Sequence, residues 1–343
     1  MTAASFTPAG DCGAYDVFNG DADGICALHQ LRLACPKEAQ LVTGVKRDVD
    51  LLRHLPDAAG LDVTVLDISF DCNVASLARI LDAGGRVAYY DHHSAHRAFA
   101  HPRLELFWDE SIDVCTSILV DRQMGGRYRP WAAVGAFGDN LADAGNALAA
   151  AAGLSEVQAA QLEQLGLALN YNAYGEHIAD LHIAPDALYR AVHAYADPLE
   201  FMRRSPYYRA LADGYRADQA HMNSLRPQWQ PACGAIYVLP NQPWARRICG
   251  VFANRLVAPA NAPGASSYAV LSENADGSYV VSVRSGAPVL RAASGLCERF
   301  PGGGGRRAAA GINRLPAAQL DDFVRAFSDY FAGAGGAAHA RQG

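Results

Sequence analysis

The chain has 343 residues, half of them apolar and 19% charged, with a formal net charge of −6. That length is enough for two domains with separate cores, and the acidic balance excludes a broad nucleic-acid-coating surface or attraction to an anionic membrane. Eight scattered cysteines with no Cys-x-x-Cys pair argue against a disulfide framework or zinc knuckle, and with no signal-peptide pattern or membrane-length apolar run the expected location is cytoplasmic.

From Ala14 to about Gly138, short apolar runs alternate with amphipathic segments. Residues 15–18, 41–45, 63–66 and 87–90 read as strands, and 25–34, 49–55 and 74–81 as helices between them. The strands are uniformly apolar rather than alternating, as in a parallel sheet covered on both faces. The pattern predicts a βαβ series and hence an α/β domain. Further helices are predicted over 114–124, 131–137 and 156–170, with the Ala-rich 142–153 as a helical excursion or loop. These elements assign residues 14–187 to one domain. Residues 188–231 read as a helical connector broken at Pro198, Pro206 and Pro227. A second pattern, 232–332, has strands at 235–239, 268–271 and 279–284 and helices at 245–257, 289–300 and 317–331. Its Asp276-Gly277 turn is a hairpin signal, so this part reads as a smaller α+β domain. The Gly/Ala-rich tail, 333–343, is expected to fray.

Four element ends carry residues suited to divalent metal. Asn19-Gly20-Asp21-Ala22-Asp23-Gly24 follows the first strand, and both carboxylates can face the crevice where open α/β sheets bind ligands. Asp67 follows the third strand, Asp91-His92-His93 the fourth, and Asp139 closes the helix at 131–137. Any one of these alone is more simply a turn or a helix cap. Together they converge, because consecutive strand ends of a parallel sheet share one edge. Two divalent ions about 3.5–4 Å apart need this many carboxylates and imidazoles, with one carboxylate bridging. Asp/His ligation without thiolate favours Mn²⁺, with Mg²⁺ as the alternative, over structural zinc. The chemistry this supports is metal-assisted phosphoester hydrolysis.

The second half has anion candidates. Gly302 to Gly305 frees backbone N–H groups to approach a phosphate, and Arg306 and Arg307 adjoin it. Arg284 at a strand end is another candidate; the alternatives are a flexible loop and a surface salt bridge. The polar-aromatic stretch 170–177 reads either as a base-stacking surface or as a helix C-terminus. Arginine far outnumbers lysine, which suits bidentate phosphate contacts but also follows from a GC-rich genome.

The order of these motifs resembles the DHH phosphoesterase family, which includes RecJ exonucleases, short-oligoribonuclease/pAp phosphatases, cyclic-dinucleotide phosphodiesterases and family II pyrophosphatases. The stretches Gly303-Gly304-Gly305-Arg306-Arg307-Ala308-Ala309-Ala310-Gly311, Val283-Arg284-Ser285 and Gly250-Val251-Phe252-Ala253-Asn254-Arg255-Leu256 are similar to the family's DHHA1 domain. The resemblance covers roughly residues 15–331. It implies a parallel-sheet DHH domain with a smaller DHHA1-like domain across a cleft, and two divalent cations, Mn²⁺ or Mg²⁺. Asp21 and Asp67 would hold the first ion. Asp23, Asp67, His92 and Asp139 would hold the second, with Asp67 bridging. His93 would face the substrate phosphate and Asp91 would orient a histidine. Arg284, Ser285, Gly303, Gly304, Gly305 and Arg306 would bind substrate.

Three positions depart from the family pattern. Val17 stands where many members have a histidine, and Asn19 where RecJ-like members have an aspartate. A neutral amide is the poorer ligand, so the first ion would be held more weakly. Arg306 replaces the histidine of the glycine loop, which keeps a phosphate grip but loses a proton donor. The resemblance implies an exonuclease-like phosphodiesterase that cleaves short single-stranded oligonucleotides or nucleotide phosphoesters with a two-metal activated water. Alternatives are a nucleotide phosphomonoesterase of the pAp-phosphatase kind, or a nucleotide-binding module without turnover. Small substrates are expected, because the chain ends soon after the second domain; a homodimer is a further expectation.

Overall fold

The structure is a computed structural model and describes residues 5–6, 13–258 and 266–335. The chain forms two compact units, Met1–Tyr215 and Arg216–Gly343.

The first unit is built on a six-stranded sheet. Its strands are β1 (Ser5–Phe6), β2 (Ala14–Asn19), β3 (Gln40–Gly44), β4 (Asp62–Leu66), β5 (Arg86–Asp91) and β6 (Leu104–Trp108), in spatial order β1-β3-β2-β4-β5-β6. All neighbours run parallel except β1, which pairs antiparallel with β3. The four strands expected from the sequence form the centre. β6 was not expected, because an edge strand needs only one apolar face, and Leu104-Glu105-Leu106-Phe107-Trp108 mixes exposed with half-buried positions.

Both faces of the sheet are covered, which is why its strands are continuously apolar. On one face Tyr15, Val17, Val63 and Val65 pack against Leu51 and Leu52 of a short 3₁₀ turn and against α2 (Phe70–Asp82). That turn, Leu51–His54, replaces the helix expected over 49–55. On the other face Phe18 and Leu66 pack against α1 (Ala22–Ala34), α4 (Arg129–Gly138) and α6 (Glu156–Asn172). Between these lie α3 (Thr116–Gln123) and α5 (Ala142–Ala151), so the Ala-rich stretch is helical. Next come α7 (Pro185–His193), α8 (Pro198–Arg204) and α9 (Pro206–Ser224). The prolines stand at the first helical position, where the missing N–H costs nothing. Leu188, Val192, Leu199, Phe201 and Leu211 join the same core as α1 and α4, so the start of the expected connector packs into the first unit. No helix among the described residues is long and apolar enough to cross a membrane.

Strand order decides where a ligand can bind. From β2 the chain crosses to β3 on one side, then returns past β2 to lay down β4, β5 and β6 on the other. The reversal falls between β2 and β4, and in open α/β sheets the crevice at the carboxyl ends of such strands is the ligand site.

The second unit has a five-stranded mixed sheet, order β10-β11-β9-β8-β7. Its elements are β7 (Gly234–Leu239), α10 (Pro243–Leu256), β8 (Ser267–Glu273), β9 (Tyr279–Arg284), α11 (Ala293–Cys297), β10 (Gly303–Gly305), β11 (Ala309–Leu315) and α12 (Leu320–Gly335). Asp276-Gly277 makes the β8–β9 turn, with Gly277 at φ 78°. Phe323, Phe327 and Phe331 bring one stripe of α12 onto the core. The helix expected over 289–300 is shortened to α11, with Val289 and Leu290 exposed. The glycine run is not an open loop. Gly303–Gly305 is an edge strand paired with Ala310–Ile312, and a Cβ on Gly303 would sit 1.9 Å from the Cys297 carbonyl oxygen. Of the expected tail, residues 336–343 lie outside the described residues.

One buried histidine gives a measurable consequence. His29, on α1, is fully buried; its Nε2 lies 3.0 Å from the Tyr195 carbonyl oxygen and its Nδ1 3.2 Å from Nδ1 of His193. A carbonyl only accepts, so Nε2 carries the proton. Burial, with His193 adding to it, pushes the imidazole down to about 3 from an ordinary 6.5. The unfolded chain therefore takes up the proton first, and the stability contribution is present above pH 6.5 and lost as pH falls toward about 3. His29→Gln is expected to flatten the fall in unfolding free energy between pH 6.5 and 4, by up to about 1.4 kcal/mol per pH unit, in denaturant titrations at each pH.

Candidate metal centre

The turn after β2 is set by its own backbone. Asp21 caps α1, its Oδ1 accepting from the N–H groups of Asp23 and Gly24, each at 3.1 Å. Gly24 is required there, since a Cβ would lie 2.2 Å from the Asn19 carbonyl oxygen. Asn19 is used at both ends of its amide. Its Oδ1 accepts from the Asp21 N–H at 3.3 Å, and its Nδ2 donates to the Lys46 carbonyl at 3.3 Å. Val17, the other departure from the family pattern, is buried in the apolar cluster with the 3₁₀ turn and α2.

Asp23 serves a different helix. Its two oxygens accept from the N–H groups of Thr116 and Ser117, both at 2.7 Å, at the N-terminus of α3. A carboxylate is favoured there by the unpaired N–H groups and the helix dipole. Asp67 follows β4 with φ 60°, a left-handed conformation that Asp tolerates better than most residues. Its N–H still reaches the Tyr90 carbonyl at 3.0 Å, and its Oδ1 accepts from Thr116 Oγ1 at 3.3 Å.

The Asp-His-His triplet divides its work. Asp91 Oδ1 accepts from the His92 and His93 N–H groups at 2.9 and 3.2 Å, and lies 2.7 Å from His93 Nδ1. His93 is therefore the histidine that Asp91 orients, with the proton on Nδ1. His92 turns Nε2 inward, 3.4 Å from Asp67 Oδ1, 3.7 Å from Asp139 Oδ2 and 3.9 Å from Asp23 Oδ2. Asp139 closes α4, just before Asn140, which is also left-handed at φ 64°. Donor atoms of Asp67, His92 and His93 lie within 4.8 Å of one another.

Lys46 completes the cluster. It follows β3, and its Nζ pairs with Asp21 Oδ2, donates to Asn170 Oδ1 at 3.1 Å and lies 3.8 Å from Asp139 Oδ1. Sequence reasoning passed over this strand end because it carries no acid or histidine next to the strand. Thr116 and Ser117 were passed over too, although a Ser/Thr pair opening an apolar helical pattern is an N-terminus signal.

The charges explain one another. Burial raises the Asp67 carboxyl well above the usual carboxylate range, and Asp21, Asp23 and Asp139 add to the effect. Burial and then Asp23 hold Asp139 up, to about 6. For Asp21 burial acts in the same sense but is outweighed by Lys46 and the Gly24 N–H, which leave it lowered. For His93 burial opposes the charged form, and Asp91 outweighs it, so the imidazole is raised.

Around His92 the residues fit a divalent ion. Oxygen and nitrogen donors 3.4–3.9 Å apart span what ligands at roughly 2.0–2.2 Å from one ion would span. Around Asp21 they fit poorly, because an ammonium stands there and the Asn19 amide is already used.

Comparison with solved structures matches the chain to the exonuclease RecJ bound to manganese, with a TM-score of 0.61 at 18% identity, covering 93% of this chain and 90% of that one. The protein has the DHH/RecJ-like fold. RecJ in complex with Mn²⁺ from Thermus thermophilus matches with a TM-score of 0.54 at 18% identity, over 93% of this chain and 52% of that chain. A scan against protein-family models and a search of curated proteins return no match. The fold places Asp21, Asp23, Asp67, Asp91, His92, His93 and Asp139 in one crevice of the first unit.

The second unit gathers the other expected residues at one end of its sheet, where Arg284 pairs with Ala309. Arg284 Nε donates to Asn254 Oδ1 at 2.8 Å, and Ser285 Oγ donates to the Arg291 carbonyl at 2.6 Å. Arg306 is exposed at the β10–β11 turn. Of the stretch 170–177, Asn170 and Tyr174 flank Lys46, and Tyr171 OH lies 2.9 Å from His182 Nε2.

Two outcomes follow for the metal-free protein. A carboxyl raised in the fold contributes stability that is present below its unfolded value and lost as pH rises through its folded value, about 6 for Asp139. Asp139 thus contributes a loss of stability in the metal-free protein as pH rises from 3.8 to about 6, opposite in sign to the contribution of His29, so Asp139→Asn is expected to remove it in denaturant titrations across that range. Mn²⁺ is expected to raise the melting temperature more at pH 7.5 than at pH 5.5 in thermal-shift assays. Asp67→Asn keeps a residue suited to positive φ and removes a charge. It is expected to raise the metal-free melting temperature by a few degrees while abolishing the Mn²⁺-dependent shift.

Proposed function

We propose that the protein is a divalent-metal-dependent phosphoesterase acting on short oligonucleotides or nucleotide phosphoesters. The observation that carries this reading is the Asp67–His92–His93 cluster at the strand-order reversal of a RecJ-like fold. A divalent ion held there by Asp67, His92, Asp139 and Asp23 would supply Lewis acidity toward a phosphoryl oxygen and lower the pKa of a water.

The chain's own residues do the rest. Asp91 holds the His93 ring by Nδ1, which leaves Nε2 to meet the substrate; His93 is 46% exposed, so a phosphate can reach it. With its pKa raised, His93 favours the protonated form and donates a hydrogen bond to a non-bridging phosphoryl oxygen or a proton to the leaving oxygen. Thr116 and the α3 N-terminus hold Asp67 and Asp23 in place without drawing on solvent. In the second unit, Arg306 at its hairpin turn offers an exposed guanidinium to a nucleotide phosphate.

The test is incubation with Mn²⁺ and di- to pentanucleotides, with 3′-phosphoadenosine 5′-phosphate alongside. Mn²⁺-dependent release of mononucleotides is expected. If every phosphoester stays intact, or Asp67→Asn cleaves as fast as the parent, the reading falls; phosphate release from the bisphosphate alone would select a phosphomonoesterase. His93→Ala is expected to lower kcat by about 10²- to 10³-fold while leaving the Mn²⁺ thermal shift in place. Arg306→Ala is expected to raise KM by about tenfold, the loss of one charge-assisted hydrogen bond, with a smaller effect on kcat.

A further inference from the structure

The Lys46 side chain has the surroundings of a bound cation. Its Nζ meets the Asp21 carboxylate, Asn170 Oδ1 at 3.1 Å and the Asp139 carboxylate at 3.8 Å, and lies 5.9 Å from the centre of the Tyr174 ring. All four partners favour positive charge. The residue is also pinned by its backbone. Its N–H donates to the Ala173 carbonyl at 2.9 Å, and its own carbonyl accepts from Asn19 Nδ2 at 3.3 Å. With both main-chain groups fixed and the side chain 29% exposed, Lys46 is built into the crevice rather than swinging above it.

Composition supports the same reading independently. Of 29 basic residues only two, Lys37 and Lys46, are lysine. Lys37 pairs with Asp62 at the opposite end of β4. In a chain that uses arginine almost everywhere, the lysine stands where a compact point charge is needed. A planar guanidinium would have to fan its donors across Asp21, Asn170 and Asp139 instead. What sets Asp21 apart from Asp23, which also caps a helix, is that its Oδ2 faces an ammonium in the position an ion would take.

We infer that the Lys46 ammonium takes the place of the first of the two metal ions implied by the resemblance, and that the protein holds a single divalent ion, on the His92 side. This rests on the reading of Asp67 and His92 as metal ligands. Lys46 is a fixed cation that needs no uptake from solution, and with one divalent ion it balances most of the charge of Asp21, Asp23, Asp67 and Asp139. Asp139, between Lys46 and His92, then couples the fixed cation to the exchangeable one.

The experiment counts ions on the full chain. After equilibrium dialysis against Mn²⁺, metal analysis is expected to give one ion per chain, and electron paramagnetic resonance the six-line signal of isolated Mn²⁺. Lys46→Met frees Asp21 Oδ2 and is expected to raise the count to two with a spin-coupled signal, whereas Lys46→Arg keeps the charge and the count of one. Two ions in the parent protein would overturn this inference and leave the metal-dependent reading standing. No ion would overturn that underlying reading. One ion in both the parent and Lys46→Met would show that Lys46 does not hold a cation position. The parent count stands whether or not Lys46→Met folds, and Lys46→Gln provides a second neutral variant.

Discussion

Four carboxylates share one crevice, and much of the first unit's structure around it serves to make that tolerable. Asp21, Asp23 and Asp67 are buried and Asp139 nearly so, and like charges at that spacing in low dielectric repel by several kcal/mol unless balanced. Each has a separate remedy. Asp21 has the α1 N-terminus and Lys46, Asp23 has the α3 N-terminus, Asp67 has Thr116, and Asp139 lies between Lys46 and His92. What remains unbalanced is the Asp67 side of the crevice, where the raised carboxyls sit. A divalent cation is the natural complement to that remainder.

The same constraint links backbone to chemistry. Asp67 is held in a left-handed conformation and Asn140 follows Asp139 in another. Both turn the chain sharply at the lip of the crevice, and such conformations persist where the surrounding structure over-determines them. The β2 turn reaches its shape through glycine, with Gly24 against the Asn19 carbonyl. The crevice is thus shaped by turns, while the helices behind them supply N-termini and packing. In the second unit the expected phosphate loop is instead a paired edge strand, in which Gly303 answers to close packing against α11 and Gly305 to close packing against Ala310 of β11. The turn beyond it, at Arg306, faces solvent.

Legibility differed by residue. The four central strands and the acids at their ends could be read because uninterrupted apolar runs and terminal Asp and His leave a local mark. The Asp276-Gly277 hairpin was legible for the same reason. β6 was not, since an edge strand with one covered face has no distinctive run. The helix over 49–55 shrank to one 3₁₀ turn: Leu51, Leu52 and Leu55 all bury in the same cluster, but Leu55 precedes Pro56 and takes the extended backbone that ends the turn. Lys46, Thr116, Ser117 and Asn170 carry no motif, and their roles exist only through contacts with residues 25 to 124 positions away.

The sequence by itself determined the α/β class, the parallel sheet and the set of acids and histidines that could meet at one edge, because strand periodicity and the direction of a parallel sheet are local consequences of composition. Tertiary structure decided how those residues are shared. It assigned Asp91 to His93, gave Asp23 to a helix 93 residues on, and brought Lys46 from β3 against Asp21. These choices depend on which strand neighbours which, and in a sheet whose order reverses at β2 and β4 that neighbourhood cannot be read from spacing along the chain.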